Sequence, residues 1–191
     1  MPDAAYELEY LKAGMGLLES YLLSQDVYWT LQASPPPGGP AYPSLTLGGL
    51  LLAHARLDST ELSGELRARR DHIRQEFEAM QAHWRVAWEK KAVREFHARL
   101  NLWRDYLEEY RSNPKSNAGR YAYEVSRRVM LHLLQPFAGD APQAEKVMLR
   151  GLDSLLRSVF LPGWFIWENW LESAFPAQLY WYLYGSLRDT L

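Results

Sequence analysis

Four side chains between residues 65 and 83 have types and spacing that suit a metal site: Glu65, His72, Glu76 and His83. On a helical wheel of 100° per residue they fall within ~40° of one another, and imidazole and carboxylate groups bind zinc or iron. The spacing is loose, because three helical turns separate His72 from His83. His and Glu at i and i+4 are more often a surface pair. We therefore expect a surface pair here, with no metal and no cofactor.

Other catalytic chemistry has less support in the sequence. The chain contains no cysteine, which excludes disulfides, thiolate zinc sites and thiol nucleophiles. It also lacks a Gly-x-Ser-x-Gly elbow, a P-loop and a dinucleotide-binding fingerprint. Gly48 and Gly49 lie near a predicted helix start, where their amides could face an anion, although tight packing explains both glycines equally well. We predict no catalytic residues, which favours a protein that is not an enzyme.

The basic residues do not indicate nucleic-acid binding. They form two short clusters: Arg67, Arg69, Arg70 and Arg74, and then Arg127 with Arg128. Acidic residues are interleaved with the first cluster: Glu65, Asp71, Glu76 and Glu78. The formal net charge is −2, whereas a nucleic-acid interface needs a concentrated basic face. These charges are typical of a solvated helix face.

The C-terminal segment is rich in aromatic residues, with ten of them between residues 160 and 184. Trp and Tyr are favoured at interfaces and in ligand pockets because they combine apolar area with a polar tip. Six residues are therefore candidate contacts with a ligand or partner: Trp164, Trp167, Glu168, Trp170, Glu172 and Trp181. The competing interpretation is that this segment caps the open end of a helical bundle and buries its rings in the core.

The longest candidate element covers residues 65–112, which contain neither glycine nor proline and carry apolar residues at helical spacing. One straight helix of this length would extend ~72 Å, whereas a compact domain of this size is only ~40 Å across. Either the helix breaks or the molecule is a rod. The apolar stripe is weakest at Lys90, Lys91 and Arg94, where we expect any bend. Asp58 and Glu61 have capping-box spacing, which predicts the helix start.

The periodicity predicts further helices over residues 3–25, 46–57, 118–134 and 143–160, and a short one after Pro176. Alternation over 27–31 and the apolar run at 164–167 predict strands that pair with each other. The proline-rich segment 34–40 predicts a stiff loop. The fold class is therefore all-α: one domain over 1–191, an elongated bundle of four or five helices around one long helix. The predicted fold includes at most one short strand pair, which joins residues near 28 and 166.

Two functions remain open from the sequence. The leading one is a non-catalytic interaction or scaffold protein that binds a protein partner or forms a homodimer, and it predicts an exposed apolar patch of several hundred Å². The alternative is a small-molecule binding or sensing protein with a closed aromatic pocket in the C-terminal segment. The longest apolar run has about nine residues, far fewer than the ~20 of a membrane-spanning helix. We expect a cytoplasmic protein without a membrane span.

Overall fold

The structure is a computed structural model that describes residues 4–190, and most of these residues are helical. The described part contains eight α-helices: α1 (Ala4–Met15), α2 (Leu18–Leu23), α3 (Leu47–Asp58), α4 (Gly64–His83), α5 (Arg85–Ser112), α6 (Pro114–Asn117), α7 (Tyr121–Leu134) and α8 (Gln143–Val159). Two antiparallel strands follow, β1 (Phe160–Phe165) and β2 (Tyr184–Leu187). Three 3-10 helices complete it: Ala118–Arg120, Asn169–Ala174 and Trp181–Leu183.

Helix α5 is the element around which much of the core forms. It contacts α2, α3, α4, α7 and α8. Its buried face is strongly aromatic: Trp88, Phe96, Trp103, Tyr106 and Tyr110. Since large rings contribute most of the apolar area removed from water, this face supplies much of the hydrophobic stabilisation.

The predicted long helix is two helices that meet at Trp84, whose φ of −102° and ψ of 30° are not helical. The expected bend near Lys90 is wrong by about six residues. Lys91 interrupts the apolar stripe without marking a bend. It is buried, and its ammonium donates to the carbonyls of Ser24 (3.0 Å) and Asp26 (2.6 Å). A buried cation therefore caps the C-terminal end of α2.

The predicted capping box before the long helix is also wrong. Asp58 is the last residue of α3, and α4 begins six residues later, after Ser63. The Asp58 carboxylate instead forms an ion pair with Arg74 at 2.5 Å. Arg74 of α4 therefore occupies the Asp58 side chain that a capping box would have required. Similarly, the predicted helix over 3–25 is interrupted between Met15 and Leu18.

The predicted pairing of residues 27–31 with 164–167 is wrong. Trp29 forms one isolated antiparallel bridge with Leu45, because the proline-rich loop between them turns the chain back. Strand β1 pairs with β2 instead. The short helix expected after Pro176 is a turn, in which the Pro176 carbonyl accepts from the amides of Leu179 and Tyr180, both at 3.0 Å.

The anion that faces the Gly48 amide is a carboxylate of the protein itself. The Gly48 N–H is shared between the two oxygens of the buried Glu95 carboxylate, at 3.0 and 3.1 Å, and Arg99 Nε donates to Oε1 of the same carboxylate at 2.6 Å. A Cβ on Gly48 would lie 2.6 Å from Glu95 Oε1. Both interpretations of the glycine pair therefore apply: the amide binds an anion, and the approach is too close for a side chain. Thr46 caps the next amide, that of Gly49, at 2.9 Å.

His54 is buried in α3 with its ring 4.5 Å from the ring of Phe77, and neither ring nitrogen has a hydrogen-bond partner. Burial, together with the positive charge of nearby Arg74, lowers the pKa of His54 to about 4. In the unfolded chain the pKa is about 6.5. Between these two values the unfolded chain binds more protons than the folded one, so stability falls as the pH falls.

We expect His54 to remove about 2 kcal/mol of stability between pH 7 and pH 5. The measurement is urea unfolding of the wild type and of His54→Leu at both pH values. The variant should lose this part of the pH dependence and be at least as stable at pH 7, because it removes an unpaired buried polar group. His132, whose pKa burial also lowers, is present in both proteins. Equal pH dependence in the two would contradict the assignment.

Candidate protein-interaction site

Strands β1 and β2 form a short antiparallel ladder with an irregular end. Phe160 faces Leu187, Leu161 faces Ser186 and Pro162 faces Gly185, and the next pair is Phe165 with Tyr184. Residues 163 and 164 are therefore extra residues in β1. Such a bulge redirects the side chains that it contains.

Gly185 makes this bulge possible. Its φ is +151°, a conformation that side-chain-bearing residues rarely adopt. A Cβ on Gly185 would lie 2.1 Å from the carbonyl oxygen of Leu161 and within 3 Å of the Phe160 ring. The two strands thus approach each other closely because β2 has no side chain at this point.

The strand pair is anchored to the helices through β1 and through the residue after β2. The Phe160 ring contacts Tyr121 of α7, with centroids 6.0 Å apart, and Trp181 at 5.4 Å. Tyr110 of α5 donates its hydroxyl to the Arg188 carbonyl at 2.8 Å. The strand pair therefore has a fixed position on the α5–α7 surface.

The bulge presents Trp164 to solvent. This side chain is 93% exposed, and Leu161, three residues earlier, is 43% exposed. Pro162 and Gly163 between them are exposed as well. We call residues 161–164 the bulge face. A tryptophan with 93% of its side chain exposed on an anchored strand pair is unusual, because tryptophan is highly buried on average.

Two of the other candidate tryptophans have internal contacts. Trp167 is half-buried, and its Nε1 donates to the Ala122 carbonyl at 2.9 Å. The guanidinium of Arg157 lies 3.8 Å from the ring centroid of Trp181, which also contacts Phe160. These contacts join the C-terminal segment to α7 and α8.

The remaining candidates lie around the 3-10 helix Asn169–Ala174. Trp170 is 39% exposed, Glu172 is exposed, and Glu168 just before the helix is half-buried. Because Trp164 and Glu172 face solvent, these two do not line an enclosed pocket. Two open grooves, of 440 and 720 Å³, flank α1 instead, and residues of the C-terminal segment line neither of them.

The metal-site candidates do not converge. His72 Nε2 lies 3.7 Å from Glu76 Oε1, and both side chains are exposed. The His83 ring packs edge-on against Trp84, with centroids 5.1 Å apart. Among residues 4–190, no group of three potential ligands is close enough to hold a metal ion.

Sequence reasoning missed Leu161 and Gly185 as parts of the site. The signal was present in the turn-forming pair Pro162 and Gly163 inside an apolar run, which is typical of a bulge or an edge strand. Gly185, which directly follows the apolar run 179–184, is a second such signal.

The comparisons with protein-family models, with curated proteins and with solved structures give no match. The function therefore has to be argued from the residues of this chain. Of the helices in the described part, none combines the length and the apolarity needed to span a bilayer.

Proposed function

We propose that the chain is a non-catalytic interaction protein whose bulge face docks into an apolar pocket on a protein partner. The observation that carries the proposal is the 93% exposure of Trp164 on an anchored strand pair. Tryptophan is the residue type most enriched among those that dominate binding energy. Burying its ~200 Å² at ~25 cal/mol per Å² corresponds to about 5 kcal/mol before the entropy of association is subtracted.

The geometry favours recognition through side chains over strand addition. Pro162 lacks a backbone donor, and the bulge at residues 163–164 interrupts the regular ladder. Both features are devices that discourage pairing at a sheet edge. A partner therefore gains more from enclosing the indole of Trp164 than from adding a strand to β1.

A stable interface covers ~800 Å² per partner, which is more area than the bulge face alone can supply. Tyr123 of α7 is 76% exposed, and it follows Ala122, whose carbonyl holds Trp167. Exposed aromatic surface is thus available on α7 as well. We also propose that the helices form an elongated bundle around α5, which has 28 residues, because an extended surface suits a scaffold.

The test replaces Trp164 with the photoreactive residue benzoylphenylalanine in the cell that makes the protein. We expect irradiation to give a discrete product heavier than the chain. The matched control places the same residue at Val86, which is also exposed. Val86 lies ~36 Å along α5 from Tyr110, the residue that anchors the end of β2.

A product from position 164 and none from position 86 supports the proposal, and twice the chain mass would identify a second copy as the partner. No product from position 164, or equal products from both positions, would refute it. Trp164→Ala should abolish binding with a change in stability of less than ~0.5 kcal/mol, because an exposed side chain adds little to the fold.

A further inference from the structure

We propose that the partner of the bulge face carries carboxylates beside the pocket that receives Trp164, and that these pair with arginines at the α8 end of the strand pair. The inference rests on the proposed function and adds the chemistry of the partner to it. That partner is a protein surface with aspartate and glutamate on one side of an apolar pocket. An apolar contact and a charged contact, side by side, would fix the orientation in which the partner docks.

A small group of guanidinium side chains is left unused by the fold. Most arginines of the chain donate to a carboxylate or to a backbone carbonyl. Among residues 4–190, those whose guanidinium donates no hydrogen bond and forms no ion pair are Arg111, Arg150, Arg157 and Arg188, and all of them are exposed. We call this set the free arginines.

The free arginines lie around one end of the strand pair. Arg157 is in the last turn of α8, shortly before β1, and Arg188 directly follows β2. The start of β1 and the end of β2 meet, because the two strands are antiparallel. Arg111 is next to Tyr110, whose hydroxyl donates to the carbonyl of Arg188. Arg150 lies about two turns before Arg157 on the same face of α8.

The carboxylates of the neighbouring elements do not neutralise this end. Asp153 and Glu109 are each held by an arginine of their own chain, at 2.8 and 2.9 Å. Asp189 is exposed and offsets one positive charge. Glu168 and Glu172 lie beyond the bulge, past the other end of the strand pair, where a 3-10 helix contacts α3. The α8 end of the strand pair therefore keeps a net positive charge.

Arg157 is held in a geometry that suits a carboxylate. Its guanidinium lies 3.8 Å from the ring centroid of Trp181. Stacking on an aromatic face leaves the N–H groups at the edge of the guanidinium available, and this planar fork matches the two oxygens of a carboxylate. Trp181 in turn contacts Phe160, the first residue of β1. The cation is thus positioned before binding and loses little entropy when a carboxylate pairs with it.

The free arginines and the bulge face fit within one interface. Five residues separate Trp164 from Val159, the last residue of α8, which is at most ~17 Å of extended chain. An interface of ~800 Å² per partner is ~30 Å across. A protein fits this surface better than a nucleic acid does, because Leu161 and Pro162 are exposed between the two regions and their side chains donate nothing to a phosphate.

The test compares photocrosslinking from position 164 in proteins of altered charge. The double variant Arg157→Glu/Arg188→Glu should lower the yield of the heavier product at least about tenfold, because it places like charges face to face. The matched control is Lys12→Glu/Lys90→Glu, which changes the net charge equally. Both lysines are exposed and lie on α1 and near the start of α5, so the control should retain the yield.

Two further variants separate charge from folding. Arg188→Glu alone removes no hydrogen bond or ion pair of that guanidinium within residues 4–190, and it should lower the yield about threefold, the effect of one exposed charge pair. Mass spectrometry of the product identifies the partner peptide. Replacing the partner's acidic residues beside the crosslinked position with lysine should restore the yield of the double variant.

The outcomes distinguish this inference from the proposed function. An undiminished yield in the double variant, or equal losses in the double variant and the lysine control, would overturn the inference and leave the proposed function standing. No product from position 164 in the chain with its own arginines would refute both. A product that nuclease digests would place a nucleic acid at the site and would likewise count against both.

Discussion

Replacing Glu95 with alanine is expected to lower the free energy of unfolding by about 3–5 kcal/mol, the usual effect of breaking a buried ion pair from one side. The Glu95 carboxylate is buried between the Gly48 amide at the start of α3 and the guanidinium of Arg99. Its removal leaves a buried cation without its partner anion and the buried Gly48 amide without an acceptor, while Thr46 still caps the Gly49 amide. Arg99 would keep only its bond to the Thr46 hydroxyl, at 2.8 Å.

The matched control for this variant is Glu89→Ala on the same helix. Glu89 forms an ion pair with Arg85 at 3.0 Å with the same i,i+4 spacing, but both side chains are exposed. Such pairs contribute about 0.5 kcal/mol or less. Urea unfolding at pH 7 measures both variants. Similar losses for the two would contradict a special role for Glu95, and Glu95→Gln should fall between them, because an amide oxygen still accepts from Gly48.

The helices whose positions the sequence predicts well have boundaries that are set by residues at their own ends. The prediction of 46–57 for α3 and 143–160 for α8 is close to Leu47–Asp58 and Gln143–Val159. For α3, Thr46 caps the helix through its own side chain, as shown by its bond to the Gly49 amide. For α8, Pro142 stands immediately before the first helical residue. Such signals act over three or four residues and are visible in one sequence.

The features that patterning missed depend on contacts distant in sequence. Lys91 weakens an apolar stripe, and local reasoning therefore places a bend beside it. Its buried ammonium instead meets carbonyls about 65 residues earlier in the chain. The actual break at Trp84 carries no local signal, because residues 65–112 contain neither glycine nor proline; it accompanies contacts of α4 with α1 and α3. Tertiary contacts override local preference at both positions.

The candidate site was predictable as a region but not as a geometry. Trp164, Trp167 and Trp181 are chemically alike in the sequence, and each suited a pocket, an interface or a core. The structure separates them through their neighbours: Trp167 meets the Ala122 carbonyl, Trp181 meets Arg157, and Trp164 faces solvent. That difference depends on a bulge, whose position requires the strand partner to be known.

Replacing Gly185 with alanine is expected to destabilise the protein by about 3 kcal/mol, through backbone strain at a positive φ together with a steric clash. The added Cβ would lie 2.1 Å from the carbonyl oxygen of Leu161, which belongs to the backbone and cannot move as a side chain can. Relief requires the strands to separate, which would draw Phe160 away from Tyr121 and Trp181.

Gly163→Ala is the matched control, because Gly163 lies in the same bulge. Its added Cβ would be 3.6 Å from the Cα of Gly185, an ordinary contact distance. We expect a change below ~1 kcal/mol for this variant. Thermal and urea unfolding provide the measurement, and equal losses for the two glycines would show that the close approach at Gly185 does not support the fold.

The same pair of variants separates stability from binding. If Gly185 fixes the direction of Trp164, then Gly185→Ala should weaken photocrosslinking from position 164 even where the protein remains folded. Gly163→Ala should retain it. A rigid strand pair loses little entropy when it docks, so an anchor that becomes mobile binds less well although its exposed area is unchanged. The glycine that permits the bulge would then contribute to recognition without touching the partner.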